Sequence, residues 1–150
     1  MELPITRRRI DIASMIHRGN YELLKERFGI VLLQEASFLY DCGLYVLNSL
    51  NIPANDRTIT RLHELRGQGD PQAGIVMYRD KGAQRIINHF GLYKDGKVVS
   101  KWNAGPLFEH DIADVPGVYG KVAEFKRIDT ALPFFYEALQ EKLFQMDMGY

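Results

Sequence analysis

Apolar residues in the first half of the chain recur at the three- and four-residue steps that are typical of helices. Asp56 stands where a helix cap is expected, because a carboxylate accepts backbone N–H groups at a helix start. Gly29 and Gly67 each follow a predicted helix, where a glycine is expected to end it. The pattern therefore predicts four helices before residue 69, around residues 10–16 and over residues 21–28, 43–50 and 57–65.

After residue 69 the apolar pattern changes to one that is typical of strands. The pair Asp95-Gly96 predicts a tight hairpin turn, because these residue types readily adopt positive φ angles. Helical spacing then returns at the C-terminus. The sequence thus predicts strands over residues 74–79, 85–93, 98–102 and 122–128, and a last helix over residues 132–146.

This order of helices, antiparallel strands and a helix indicates the α+β fold class. We expect a single domain in which N-terminal helices pack on a small antiparallel sheet, because 150 residues without a linker or repeat suffice for one core. Within it, residues 1–35 are expected to form a helical extension, residues 36–128 the functional core, and residues 129–150 a C-terminal helix.

Charge and composition exclude several classes of protein. Lys and Arg number 19, as do Asp and Glu, so the chain lacks the basic excess of nucleic-acid binders. Its 46% apolar and 25% charged residues exclude a disordered chain. No apolar stretch approaches the roughly 20 residues of a membrane span, and no secretory signal is evident. We expect a cytoplasmic protein without membrane or nucleic-acid partners, although export by a signal-independent route would leave no trace.

The chain contains one cysteine, Cys42, which excludes an internal disulfide and a cysteine-rich zinc site. It stands at the predicted start of a helix, where backbone N–H groups and the helix dipole favour the thiolate. The same N–H groups would stabilise an oxyanion. Asp41 is expected to cap this helix or to bind a substrate amine, and Tyr40 to line the substrate side. The alternative is that Cys42 is an apolar core residue.

A thiolate nucleophile needs a base, and His89 is the best placed of four histidines. It opens a predicted strand, and Gly91 permits close approach of another group. His110 is a candidate pocket residue in a predicted loop, while the other two histidines are expected at the surface. Trp102 is expected either to wall the active-site groove or to lie in the core.

Several motifs in order resemble those of the NlpC-type cysteine peptidases, which are papain-like α+β proteins that cleave peptide or amide bonds. The resemblance covers about residues 40–128, and part of it is similar to a divergent branch of that superfamily. Its motifs are Asp41-Cys42, Gly69-Asp70, His89-Phe90-Gly91-Leu92-Tyr93, Asp95-Gly96-Lys97-Val98-Val99, the run 100–106, Glu109-His110 and Val118-Tyr119-Gly120.

The resemblance implies that Cys42 is the nucleophile, His89 the base and Ser100 the third residue, which orients His89. Asn103 is the competing candidate for that third position. Gly43 stands where the family has a serine that helps to bind the amino terminus of cell-wall peptides, so that specificity does not carry over.

The sequence thus predicts a thiol hydrolase that cleaves a peptide, isopeptide or amide bond through a Cys–His dyad or triad. No metal or cofactor is expected, and the partner is the peptide or amide substrate. Two alternatives remain open. One is a catalytically silent binding module of the same fold, and the other is a delivered effector that uses the same chemistry.

Overall fold

The computed structural model describes residues 1–35, 41–82, 86–102 and 105–147. Within them the helices are α1 (Arg7–His17), α2 (Tyr21–Phe28), α3 (Cys42–Ser49), α4 (Asp56–Glu64) and α5 (Ile128–Asp147), with a 3₁₀ turn, η1, at Gly117–Tyr119. The strands are β1 (Val31–Gln34), β2 (Gly74–Arg79), β3 (Ile87–Lys94), β4 (Lys97–Lys101), β5 (Leu107–His110) and β6 (Val122–Lys126).

The six strands form one antiparallel sheet in the order β1-β5-β4-β3-β2-β6. The predicted α+β class is therefore confirmed. The sheet is larger than expected, because β1 and β5 pair at one edge and neither was predicted. The segment 1–35, expected to be helical, thus also contributes a strand.

Helices cover both faces of this sheet. Alternate residues of β2 point to opposite sides, so Val76 and Tyr78 belong to one apolar cluster and Ile75 and Met77 to the other. α1, α2 and η1 supply the first cluster, whose members include Ile12, Met15, Leu24, Tyr119 and Phe125. α3, α4 and α5 supply the second cluster, whose members include Val46, Leu47, Leu62, Phe90, Ala131 and Phe135.

Several helix ends follow from side-chain chemistry. Asp41 caps α3, as one of its two predicted roles requires, by accepting the N–H of Leu44 at 2.8 Å. The cap of α4 is Asn55 and not Asp56, because the amide oxygen of Asn55 accepts backbone N–H groups and Thr58 bonds back to it. Asp56 instead occupies the first helical turn, where its negative charge interacts favourably with the positive end of the helix dipole.

Arg9 connects the first helix to the rest of the molecule. Its side chain is buried, and its guanidinium donates to the carbonyls of Leu3 (2.8 Å), Val115 (2.9 Å) and Gly120 (2.7 Å). A further bond reaches the carbonyl of Pro116 at 3.1 Å. The planar fork of the guanidinium is suited to this task, since it presents five donors at once.

We expect Arg9→Met to lower the free energy of unfolding by more than about 3 kcal/mol, because several buried carbonyls lose a charged donor together. Urea unfolding measures the loss. Arg7→Met is the matched control: its side chain is 86% exposed and pairs only with Asp11 four residues on, so a change within about 0.5 kcal/mol is expected. Equal losses in the two variants would contradict the role given to Arg9.

Candidate active site

Cys42 is the first residue of α3, where the sequence predicted it to begin a helix. The backbone N–H groups of Phe90, Gly43 and Cys42 itself favour the thiolate and act to lower the pKa of the thiol. Burial nevertheless raises the pKa of the thiol, and the nearby carboxylate of Asp41 raises it further. The expected preference for thiolate is therefore outweighed, and the group is a protonated thiol at neutral pH.

β3 pairs with β4 over Leu92–Lys94 against Lys97–Val99, while β4 continues along β5 as far as Lys101. Phe90 lies outside that β3–β4 ladder and pairs with Met77 of β2 on its other side. The sequence could not indicate where this ladder ends, since that depends on how the strands pair.

The thiol lies at a cleft of about 270 Å³ between α3, α4 and β3. The cleft is small for a ligand pocket and its walls are largely apolar. It is lined by Asp41, Cys42, Gly43, Leu44, Ile59, Leu62, His63, Ile87, Asn88 and Phe90. His63 was expected at the surface; it is exposed, but it also packs edge-on against Phe90 with ring centroids 5.2 Å apart. The sequence therefore did not indicate that His63 lines the same cleft as Cys42.

His89 is fully buried on the sheet face that α1, α2 and η1 cover. Its ring stacks on Tyr119 with centroids 3.9 Å apart and planes 2° from parallel, and it also contacts the ring of Tyr78. Neither ring nitrogen has a hydrogen-bond partner among the described residues. Burial, with a smaller contribution from His110, holds the pKa of His89 well below its ordinary value, so the ring is neutral.

Cys42 lies near the part of β3 that contains His89 and Phe90. The N–H of Phe90, the residue that follows His89 in the strand, favours the thiolate. α3 packs on the opposite sheet face from the His89 ring, and no hydrogen bond joins the thiol to that ring. The thiol and the imidazole therefore lie on opposite faces of the sheet, and the structure does not bring the two predicted partners together.

Ser100 is engaged by His110 and not by His89. His110 donates from Nδ1 to the carbonyl of Asp111 (2.7 Å), so its Nε2 accepts the hydroxyl of Ser100 (2.7 Å). Trp102 completes the network by donating from Nε1 to Ser100 Oγ at 2.9 Å. In this state Ser100 does not orient His89 as the family resemblance implied.

The structure also places the remaining candidates. Trp102 is a buried core residue and does not wall an open groove. His110 ends strand β5 and is buried, although a loop was expected there. Burial lowers its pKa to about 4. Tyr40 and Asn103 lie outside the described residues, so their expected roles stay predictions.

The described part of the chain contains no cluster of three or more His, Cys, Asp or Glu side chains that suits a metal ion. No helix within it combines the length and the apolar character needed to cross a membrane.

Comparisons with known proteins returned no match to any family model, curated protein or solved structure.

The two buried histidines should make the protein less stable in acid. Because their pKa values are lowered in the folded state, the unfolded chain binds protons that the folded protein does not take up. Stability is then complete above about pH 6.5 and is lost as the pH falls toward 4, by about 3 kcal/mol for His110 alone. Urea unfolding at about pH 7.5 and about pH 4.5 measures the loss. An unchanged free energy of unfolding would contradict it.

Two variants assign this loss to individual rings. His89→Phe keeps the stack on Tyr119 and removes two unbonded nitrogens, so at neutral pH it should raise the free energy of unfolding by about 1–3 kcal/mol. His110→Phe is the control with opposite sign, because it leaves the Ser100 hydroxyl and the Asp111 carbonyl without their partner. In both variants the free energy of unfolding should depend less on pH than in the wild-type protein.

Proposed function

We propose that the protein is a thiol hydrolase that cleaves a peptide, isopeptide or amide bond, with Cys42 as the nucleophile and His89 as the general base. The observation that carries the proposal is the position of the thiol. Cys42 lines an open cleft as the first residue of helix α3, where backbone N–H groups favour its thiolate, and the cleft borders the strand that carries His89.

The raised pKa of the thiol and the lowered pKa of the imidazole exclude a resting thiolate–imidazolium pair. The proton therefore moves during the attack. As Sγ of Cys42 bonds to the substrate carbonyl carbon, a nitrogen of His89 takes the thiol proton and the carbonyl oxygen becomes an oxyanion. In the structure the His89 ring lies on the opposite sheet face from α3, so this step requires the ring to leave its stack on Tyr119 and to reach the cleft when the substrate binds.

The second half of the reaction returns the enzyme to its neutral state. The tetrahedral intermediate breaks its C–N bond, and the leaving amine takes the proton from His89. A water molecule then attacks the resulting thioester while His89 accepts its proton. Breakdown of this second intermediate releases the carboxylic acid, and the sulfur recovers a proton from His89.

Backbone N–H groups supply the electrostatic stabilisation in this scheme. The backbone N–H groups of Cys42, Gly43 and Phe90 already act on the thiol, since each lowers its pKa. An oxyanion formed one bond away from that sulfur would lie beside the same donors, at the positive end of the α3 dipole. Their value is greatest in a cleft with largely apolar walls, where water competes less for the charge.

The lining of the cleft indicates the kind of substrate. Ile59, Leu62 and Ile87 present aliphatic surface beside the thiol, and Phe90 adds an aromatic ring. We expect the residue next to the scissile carbonyl to be aliphatic or aromatic, because a charged side chain would lose hydration against these apolar residues.

A catalytically silent binding module is the second candidate. The observations that favour it are the neutral state of both groups and the burial of the His89 ring on the sheet face opposite to Cys42, which needs a change of geometry before any chemistry. The same apolar cleft would then bind a peptide without cleaving it. Reactivity of the thiol separates the two candidates.

Cys42→Ala should abolish hydrolysis of any peptide or ester substrate found by screening a fluorogenic library. His89→Gln should lower the turnover rate by about 10²–10⁴-fold, the usual contribution of a general base. Alkylation of Cys42 by iodoacetamide gives a readout without a substrate, because the chain has only this cysteine. His89→Gln should slow that alkylation at neutral pH.

Two further histidine variants complete this test. His17→Gln is the matched control, because that ring is exposed at the end of α1 and does not line the cleft. His63→Gln identifies the base, since His63 lines the cleft as well. Loss of activity in His63→Gln together with full activity in His89→Gln would assign the base to His63. Full hydrolysis by Cys42→Ala would refute the proposed chemistry.

Ile59→Ala should lower kcat/KM for a substrate with an apolar residue at the scissile carbonyl by about tenfold or more, since this change removes apolar contact in the cleft. Substrates with a small residue there should be affected less. Ile10→Ala is the control, because Ile10 is an equally aliphatic, exposed residue of α1. Preference for a charged residue in the wild-type protein would contradict the expected specificity.

A further inference from the structure

We propose that a β-bulge in β3 moves by two residues when substrate binds, so that His89 turns into the cleft and Asn88 takes its place on the opposite face of the sheet. The inference rests on the proposed function, because it supplies the route by which the catalytic base reaches Cys42. The change is confined to these two residues, and the strand on either side of them keeps its place.

The first step is that β3 contains one extra residue at Asn88. Tyr78 of β2 pairs with His89. The next residue of β2, Arg79, pairs with Ile87, so Asn88 has no pairing partner in β2. An insertion of this kind is a β-bulge. Ile87 and Asn88 therefore both line the cleft, although the side chains of a regular strand alternate between the two faces.

The second step is that the same extra residue can stand two positions further along the strand. His89 and Phe90 would then together oppose Met77, and Asn88 would oppose Tyr78. The pairs before and after this stretch stay as they are, because the number of residues between them does not change. As in the present bulge, the two residues that oppose one partner residue would share the cleft face. His89 would then lie beside Phe90, whose N–H acts on the thiol.

The third step is that the stretch involved is paired on one side only. In the part of the chain that the structure describes, residues 87–90 pair with β2, while the ladder between β3 and β4 begins at Leu92. Gly91 already lies tightly against β4, because a Cβ atom there would stand 2.8 Å from Cγ1 of Val98. The bulge can therefore move without breaking the β3–β4 ladder.

The fourth step concerns the balance between the two positions. In the present one the Tyr119 ring stacks on the imidazole at 3.9 Å, but both nitrogens are buried without a partner among the described residues. In the second position the stack is lost, while the nitrogens regain partners at the open cleft. Asn88 would become buried, and its amide already donates to the carbonyl of Tyr119 at 3.5 Å. These gains and losses oppose each other, so a bound substrate can decide between the positions.

Disulfide trapping tests the movement without a substrate. In His89→Cys the new side chain points away from Cys42, and such a pair cannot be bridged unless the backbone moves. With oxidised glutathione this variant should nevertheless form an internal disulfide, because Cys42 is the one other cysteine of the chain. Mass spectrometry of the digested protein identifies the link. A folded His89→Cys protein that stays unlinked would overturn the inference.

Deletion of Asn88 removes the extra residue and leaves a regular strand. In the His89→Cys background this deletion should slow trapping by about tenfold or more, because the second position no longer exists. Asn88→Ala in the same background is the matched control: it removes the amide but keeps the bulge, so trapping should persist. Equally fast trapping after the deletion would show that the bulge is not the cause.

Tyr78→Cys measures trapping by general opening of the sheet. Tyr78 pairs with His89 and is buried on the same face, but it belongs to β2, which has no extra residue there. This variant should stay unlinked under the conditions that trap His89→Cys, and this comparison carries the test if the deletion variant does not fold. Equal trapping in the two variants would overturn the inference. Urea unfolding shows which variants are folded.

Turnover separates this inference from the proposed function. Deletion of Asn88 in the otherwise wild-type protein should lower turnover as much as His89→Gln does. If His89→Gln lowers turnover but His89→Cys is not trapped, the bulge movement is wrong while the proposed function stands. If trapping follows the expected pattern but His89→Gln keeps full turnover, the bulge moves, and the proposed base and the catalytic purpose of the movement are wrong.

Discussion

The structure depends on one constraint: the antiparallel sheet is covered by helices on both faces. A strand position that such helices cover is buried, so its side chain must be apolar or have a polar partner. β2 satisfies this rule with a nearly continuous apolar run, in which all residues from Gly74 to Tyr78 are buried. Polar side chains that lie in the covered strands therefore require an explanation.

Three such side chains lie on the face that α1 and α2 cover: His89, Ser100 and His110. Ser100 and His110 bond to each other, and the tautomer is set by a backbone carbonyl. His89 has no such partner, and desolvating two unbonded nitrogens costs free energy that the fold must offset elsewhere. A local conflict of this kind is expected where a residue serves a function rather than stability.

Local chemistry explains which elements the sequence could predict. α2 and β2 have their predicted bounds, and positive φ angles at Asp95 and Gly96 confirm the hairpin turn. β1 and β5 were missed because each has four residues, and their pairing joins positions about 75 residues apart. The same limit applies to the site. The sequence could place Cys42 at a helix start, but the orientation of His89 depends on which sheet face η1 covers.

The state of the site follows from the same burial. A helix amino terminus favours a thiolate, yet here desolvation of the sulfur outweighs the N–H donors around it. Desolvation acts on His89 in the opposite sense, since it opposes the protonated ring. The folded protein therefore disfavours the charged form of both groups. Arg9 of α1 holds the turn that carries Tyr119, and Tyr119 covers one face of the buried imidazole, so the N-terminal segment also shapes the surroundings of His89.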